Sequence, residues 1–209
     1  MSLQVLDHPV AKDALSRLRD KSTLPVDFRR EICRLSSLLA FEATRYLTTI
    51  ETMVSTPLSI SKAEIIAKRH AIVPIMRAGD GMLETFRILL PNALIWHMYV
   101  SRDEETFQPH CHGSKVPKHV PPDLGTCFLL DPMLATGGSA SFAISHLKNA
   151  GAKHIVLVGV VGAPEGAAKL ERDHPDVSIF LGAMDSCLNE KAYIVPGLGD
   201  AGDRQYPVE

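Results

Sequence analysis

The sequence predicts an α/β fold, a mostly parallel sheet flanked by helices, in a single domain covering residues 1–209. Three observations lead there. Short apolar runs rich in β-branched or aromatic residues read as strands buried on both faces: AIVPIM (71–76), LIWHMYV (94–100), TCFLLD (126–131), IVLVGVV (155–161) and VSIFLG (177–182). Helical stretches separate them: GMLETFRILL (81–90), SASFAISHLKNAG (139–151) with Gly151 as a stop, and PEGAAKLERD (164–173) opening on a proline. Finally, 209 residues at 45% apolar and 22% charged can bury one sizeable core.

The first third reads as helix. From Phe28 to Leu47, the residues Ile32, Leu35, Leu38, Leu39, Ala43 and Leu47 recur at three- and four-residue spacings, an amphipathic stripe. TPLSISKAEIIAKRH (56–70) predicts a shorter helix that a serine could cap. The strands and helices then alternate, with no repeat or linker. Residues 106–125, which include FQPHCHGSKVPKHVPPDLG (107–125), with Thr126 at the edge, form one long loop or hairpin rich in Pro and His, and a loop of that length is usually functional or mobile.

Composition removes several function classes. A formal net charge of −2 gives no general attraction to nucleic acid or to an anionic membrane. No apolar run reaches the roughly 18–20 residues that span a bilayer. The first residues, MSLQVLDHPVAKD, lack the basic and apolar regions of a signal peptide. Cys33, Cys111, Cys127 and Cys187 form no CxxC pair, which suits a reduced cytoplasmic protein. Cys33 and Cys127 are expected in the core, on an apolar helix and strand. His110, Cys111, His112 and His119 fit no common structural zinc signature, so an unliganded loop is expected there.

Phosphate chemistry must therefore be local, and DPMLATGGS (131–139) offers it at a strand's carboxyl end, where open parallel sheets bind ligands. Thr136, Gly137, Gly138 and Ser139 lead into a helix whose first N–H groups lack partners. Together with the helix dipole they make an anion site suited to a phosphate monoester. Asp131 could accept hydrogen bonds from sugar hydroxyls. Taken alone, TGGS reads equally as a glycine turn with a Ser/Thr helix cap. IVPIMRAGDGM (72–82) repeats the strand–loop–helix pattern and puts Arg77 where its strand stops; a guanidinium there holds a diphosphate bidentately or is simply a surface loop arginine. SRDEET puts Arg102 at the same sheet edge.

With these residues in hand, the chain resembles the type I phosphoribosyltransferases. DPMLATGGS is similar to their phosphoribosyl-diphosphate loop, and the proline after its aspartate marks the uracil phosphoribosyltransferase variant of it. PIMRAGDGM, SRDEET, APEG (163–166) and YIVPGLGDAGDR (193–204) resemble that family's other motifs, in order. DHPVAKDALSRLRDKST (7–23) with the 28–47 stretch resembles its N-terminal helical region.

The resemblance implies the type I fold with a C-terminal base-binding hood, and the conversion of uracil and phosphoribosyl diphosphate into UMP and diphosphate. It implies that Asp131, Pro132, Met133, Leu134, Ala135, Thr136, Gly137, Gly138 and Ser139, with Arg77, Arg102 and Asp200, bind phosphoribosyl diphosphate. Arg77, Arg102 and Asp131 would carry catalysis. It implies that the backbone at Ile194, Gly199 and Ala201, beside Asp200, reads uracil; alone, that stretch reads as a flexible C-terminal loop. A Mg²⁺ held mainly by the substrate diphosphate is implied, as are a homo-oligomer (dimer or tetramer) and a nucleotide effector such as GTP, to which no residue is assigned. Asp80 departs from the family, which carries an apolar residue there, and is expected to point away from the site. A regulator binding uracil nucleotides or RNA on the same fold, or an enzyme for another base, are the rival readings; the former should show a basic face, and the chain has 22 Lys+Arg against 24 Asp+Glu.

Overall fold

A computed structural model describes residues 2–102 and 109–207, with Arg102 described as backbone only. The chain opens with strand β1 (Leu3–Val5) and helices α1 (Pro9–Arg19) and α2 (Pro25–Thr44), each helix starting on a proline whose missing N–H costs nothing in the first turn. Strands β2 (Thr49–Ser55) and β3 (Ile60–Ile66) follow, then β4 (Ala71–Met76) and α3 (Asp80–Leu89). Next come β5 (Leu94–Ile95), β6 (Met98–Arg102), β7 (Pro109–Ser114), β8 (Thr126–Leu130), β9 (Met133–Leu134) and α4 (Gly138–Asn149). The last third holds β10 (His154–Gly162), α5 (Pro164–Asp173), β11 (Ser178–Met184), β12 (Cys187–Leu188), β13 (Ile194–Val195) and the short α6 (Ala201–Gln205).

The main sheet runs β1-β11-β10-β8-β4-β6-β7, with β5 on β4 and β9 on β10. All of its pairings are parallel except β6–β7. Side-chain alternation along the central strands builds one core on each face. Ile72, Phe128, Leu130 and Val158 join Phe28, Ile32 and Leu35 of α2 and Phe86 of α3. Val73, Leu129 and Leu157 join Ala143, Ile144 and Leu147 of α4 and Leu170 of α5. Each such side chain, fully buried, stabilises the fold by about 1.5–3 kcal/mol, so the double-sided core fixes the register of β4, β8 and β10. No helix among the described residues is long and apolar enough to cross a membrane.

Three expectations need correction. The helix expected over 56–70 is absent: its centre is β3, paired in register with β2 from Thr49↔Ile66 to Ser55↔Ile60. Thr49, Ile50, Thr52, Val54, Ile60, Ile65 and Ile66 are β-branched, and cross-strand pairing overrides the helical spacing of a few apolar positions. LIWHMYV is two strands, not one, with the interruption opposite Val73–Pro74, where the proline supplies no N–H. Cys33 is only half-buried and its thiol bonds the Gly81 carbonyl at 3.4 Å, whereas Cys127 is fully buried as expected. Within the long loop, 109–114 is strand β7; residues 106–108 lie outside the described residues.

Candidate active site

Because β8, β4 and β6 are adjacent and parallel, their carboxyl ends meet at one edge, which brings Asp131, Arg77 and the backbone of Arg102 to one side of the sheet. A cleft of about 760 Å³ opens there. Its floor is the loop from Asp131 to Ser139, and its roof is the segment Glu190–Gly202.

The loop's shape follows from two glycines. Gly137 has φ +77°, and a Cβ on it would come within 2.9 Å of the Gly166 carbonyl oxygen. A Cβ on Gly166 would in turn sit 2.3 Å from the Ala135 carbonyl oxygen. The APEG segment therefore backs the loop, and only hydrogen fits between them. The N-cap of helix α4 is Gly137, which has no side chain to cap with, while the neighbouring Thr136 hydroxyl accepts from the Gly138 amide at 3.4 Å. The first turn of this 12-residue helix lines the cleft, where the helix dipole favours an anion. Asp131 is half-buried beside them, its Oδ1 accepting from the Met133 amide at 3.3 Å. Burial raises its pKa to about 6 despite that bond, which acts in the opposite direction.

Arg77 is exposed at the cleft edge. Its guanidinium donates to Asp203 at 2.6 Å and to the Tyr206 carbonyl at 3.4 Å. Both partners of the ion pair are more than half exposed, so a dianionic ligand can take the guanidinium over at little cost. Asp80 is not a cleft residue: its carboxylate accepts from the Tyr206 hydroxyl at 2.9 Å. Burial and then Asp80 push that phenol up to about 12.

The roof is held by polar groups that sequence reading did not identify. Asp185, with its side chain 3% exposed, accepts from the Gly197 amide at 2.8 Å and is gripped two-handedly by Arg19. Arg19 also donates to the Gly197 carbonyl at 2.7 Å. Gly197 itself has φ +62°, and a Cβ there would lie 2.2 Å from the Ile194 carbonyl oxygen. Arg204, lying 4.3 Å over the Phe28 ring, bonds the carbonyls of Leu18, Leu198 and Asp20. Gln205 donates to Ala78 at 3.0 Å and so ties the roof to the loop after β4.

Of the residues singled out from sequence, Arg77, Asp131, Met133 through Ser139, Ile194, Gly199, Asp200 and Ala201 all line this one cleft. Pro132 is buried beneath it, its carbonyl accepting from the amides of Val160 and Val161. The Asp200 carboxylate caps α6 through the Asp203 amide at 2.9 Å. The side chain of Arg102 lies outside the described residues. Ser101, Glu190, Lys191 and Tyr193 also line the cleft; Ser101 and Tyr193 open two of the motifs but were assigned no role, and Glu190 and Lys191 lie in none of them.

A parallel sheet with a glycine loop and an arginine at its carboxyl edge, covered by a C-terminal roof, defines a type I phosphoribosyltransferase fold. The uracil phosphoribosyltransferase family model matches residues 5–207, and the chain belongs to that family. It is 45% identical over 204 residues to the uracil phosphoribosyltransferase of Acholeplasma laidlawii, covering 98% of this chain and 97% of the other. It is 46% identical to that of Roseiflexus sp. strain RS-1, with the same coverage. Among solved structures, the AQ2163 protein of Aquifex aeolicus superposes with a TM-score of 0.92 at 34% identity over 99% of both chains. Adenine phosphoribosyl transferase from Trypanosoma brucei shares the fold alone, with a TM-score of 0.55 at 14% identity, covering 87% of this chain and 83% of the other.

Proposed function

We propose that this chain transfers the 5-phosphoribosyl group of phosphoribosyl diphosphate to uracil, giving UMP and diphosphate. The observation that carries it is the single cleft in which a helix start, a carboxylate, an arginine and a backbone-rich roof face one another. The amides of 136–139 would hold the 5′-phosphate and Asp131 the ribose hydroxyls, with 132–135 completing the loop. Arg77 and Arg102 would hold the diphosphate, beside Asp200. Backbone groups at Ile194, Gly199 and Ala201 would read uracil, which offers acceptors at its carbonyls and a donor at N3. Cytosine has no proton at N3 and would leave buried partners unpaired.

Uracil N1 forms the bond to the anomeric carbon as the bond to diphosphate breaks, and the N1 proton passes to solvent. This needs no protein nucleophile; catalysis rests on positioning and on stabilising the departing charge. Among the described residues no three ligand-type side chains converge to cage a metal. A Mg²⁺ would be held mainly by substrate oxygens and water, with Asp131 the loop carboxylate within the site. When bound, Mg²⁺ would neutralise charge on the diphosphate.

The same reading includes a homo-oligomer. The β2–β3 ribbon carries the uncharged set Ile50, Thr52, Val54, Ser61, Ala63 and Ile65 on one face, and on the other Glu51, Lys62 and Glu64 interspersed with Met53, Ile60 and Ile66. Ile50 and Ile65 are directly opposite and each 50% exposed, so the uncharged face is left for a second copy of the chain. Four free cysteines suit the cytoplasm, and a nucleotide effector such as GTP stays part of this reading on resemblance alone. The test is incubation with uracil, phosphoribosyl diphosphate and Mg²⁺. UMP and diphosphate should appear in equal amounts; binding of both substrates with no turnover would instead make the chain a regulator on an enzyme's fold.

A further inference from the structure

Strand β7 carries two histidines that the proposed reaction does not use. His112 is the extra residue of a β-bulge: Val100 pairs with Cys111 and Tyr99 with Gly113, leaving His112 without an opposite number. A bulge re-aims the side chain it carries. Here it brings the His112 ring to 4.6 Å from that of His110, centroid to centroid, in an edge-on arrangement at 73°. Both residues are exposed. The Nε2 of His112 is 2.7 Å from the Ser101 hydroxyl on β6, and Ser101 lines the substrate cleft. Cys111, between them, bonds the Gly113 carbonyl instead.

We propose that His110 and His112 form a two-imidazole chelate for a late first-row dication such as Zn²⁺, distinct from the Mg²⁺ that would travel with the substrate. A cation ~2.0–2.1 Å from one nitrogen of each ring, at a ligand angle of roughly 90–110°, puts the ring centroids about 4.5–5.2 Å apart. The observed separation falls within that span without any strand movement. In the tautomer that donates Nε2–H to Ser101, the Nδ1 lone pair of His112 can ligate, which is the usual arrangement for a metal-binding imidazole and its outer partner. Imidazole pairs favour Zn²⁺, Ni²⁺ or Cu²⁺, whereas Mg²⁺ takes oxygen ligands. No third His, Cys, Asp or Glu among the described residues converges with them, so water completes the shell.

The test is calorimetric titration of the full chain with Zn²⁺ in excess Mg²⁺, on a Cys111→Ser, Cys187→Ser background that removes the thiol between the two histidines and the exposed thiol. One Zn²⁺ per chain should bind. His110→Ala and His112→Ala should each weaken it by at least about tenfold, Ser101→Ala less, and His119→Ala not at all. Both histidines are exposed, so their loss should leave the fold intact, which circular dichroism would check. Absence of Zn²⁺ binding, its displacement by Mg²⁺, or its survival in both histidine variants would overturn the proposal.

Discussion

Asp131 carries a cost that the role proposed for it explains. Its pKa rises from 3.8 to about 6 on burial, so the ionised carboxylate is less stable in the folded chain than in the unfolded one. The penalty is absent below the unfolded value, grows as pH rises from about 4 to 6, and is complete above that. Asp131→Asn should therefore stabilise the chain at pH 8 by up to about 3 kcal/mol, with the gain vanishing near pH 3.8. Denaturant titrations at both pH values would measure it. The same change should lower activity by more than about tenfold. In the wild type, kcat/KM for phosphoribosyl diphosphate should fall as pH drops through about 6, and the variant's residual rate should lose that component. Arg77→Lys keeps the charge but not the planar two-point grip. It should lower kcat/KM for phosphoribosyl diphosphate by at least about tenfold while leaving uracil saturation little changed.

At the scale of elements, the roof proposed to read the base is only as rigid as its anchors. Asp185 and Arg19 form a part-buried pair that fixes both the amide and the carbonyl of Gly197. Asp185→Asn keeps an acceptor for the amide but leaves Arg19 uncompensated, and breaking such a pair costs about 3–5 kcal/mol. Urea unfolding should show that loss, and steady-state kinetics should show the KM for uracil rising more than that for phosphoribosyl diphosphate. Equal changes would mean that the roof does not depend on this pair. The central strands β4, β8, β10 and β11 and the helices beside them were legible because apolar runs buried on both faces leave an unambiguous pattern. The glycine loop was legible because its chemistry is local in sequence. Arg19, Asp185 and Arg204 were not, because each acts across more than a hundred residues or on backbone carbonyls, which have no residue signature. The β2–β3 ribbon was misread because exposed strands lack the burial pattern that separates strand from helix.

At the scale of the whole molecule, that ribbon pairs along its length with itself and presents an uncharged face outward. Ile50→Lys with Ile65→Lys places two like charges on the face assigned to a second copy. Light scattering should show an oligomer in the wild type and a smaller species in the double variant; a monomeric wild type would remove the ribbon's role. The cleft is the other whole-molecule feature, since its floor, edge and roof come from residues 131–139, 77 and 190–202. Their joint function is tested most directly by diphosphate release with phosphoribosyl diphosphate and, in turn, uracil, cytosine, hypoxanthine, orotate and xanthine. Uracil should be turned over with a kcat/KM about 10⁴ times that of cytosine, as a site that hydrogen-bonds its substrate discriminates. A comparable or larger value for any other base would contradict the assignment of this cleft to uracil.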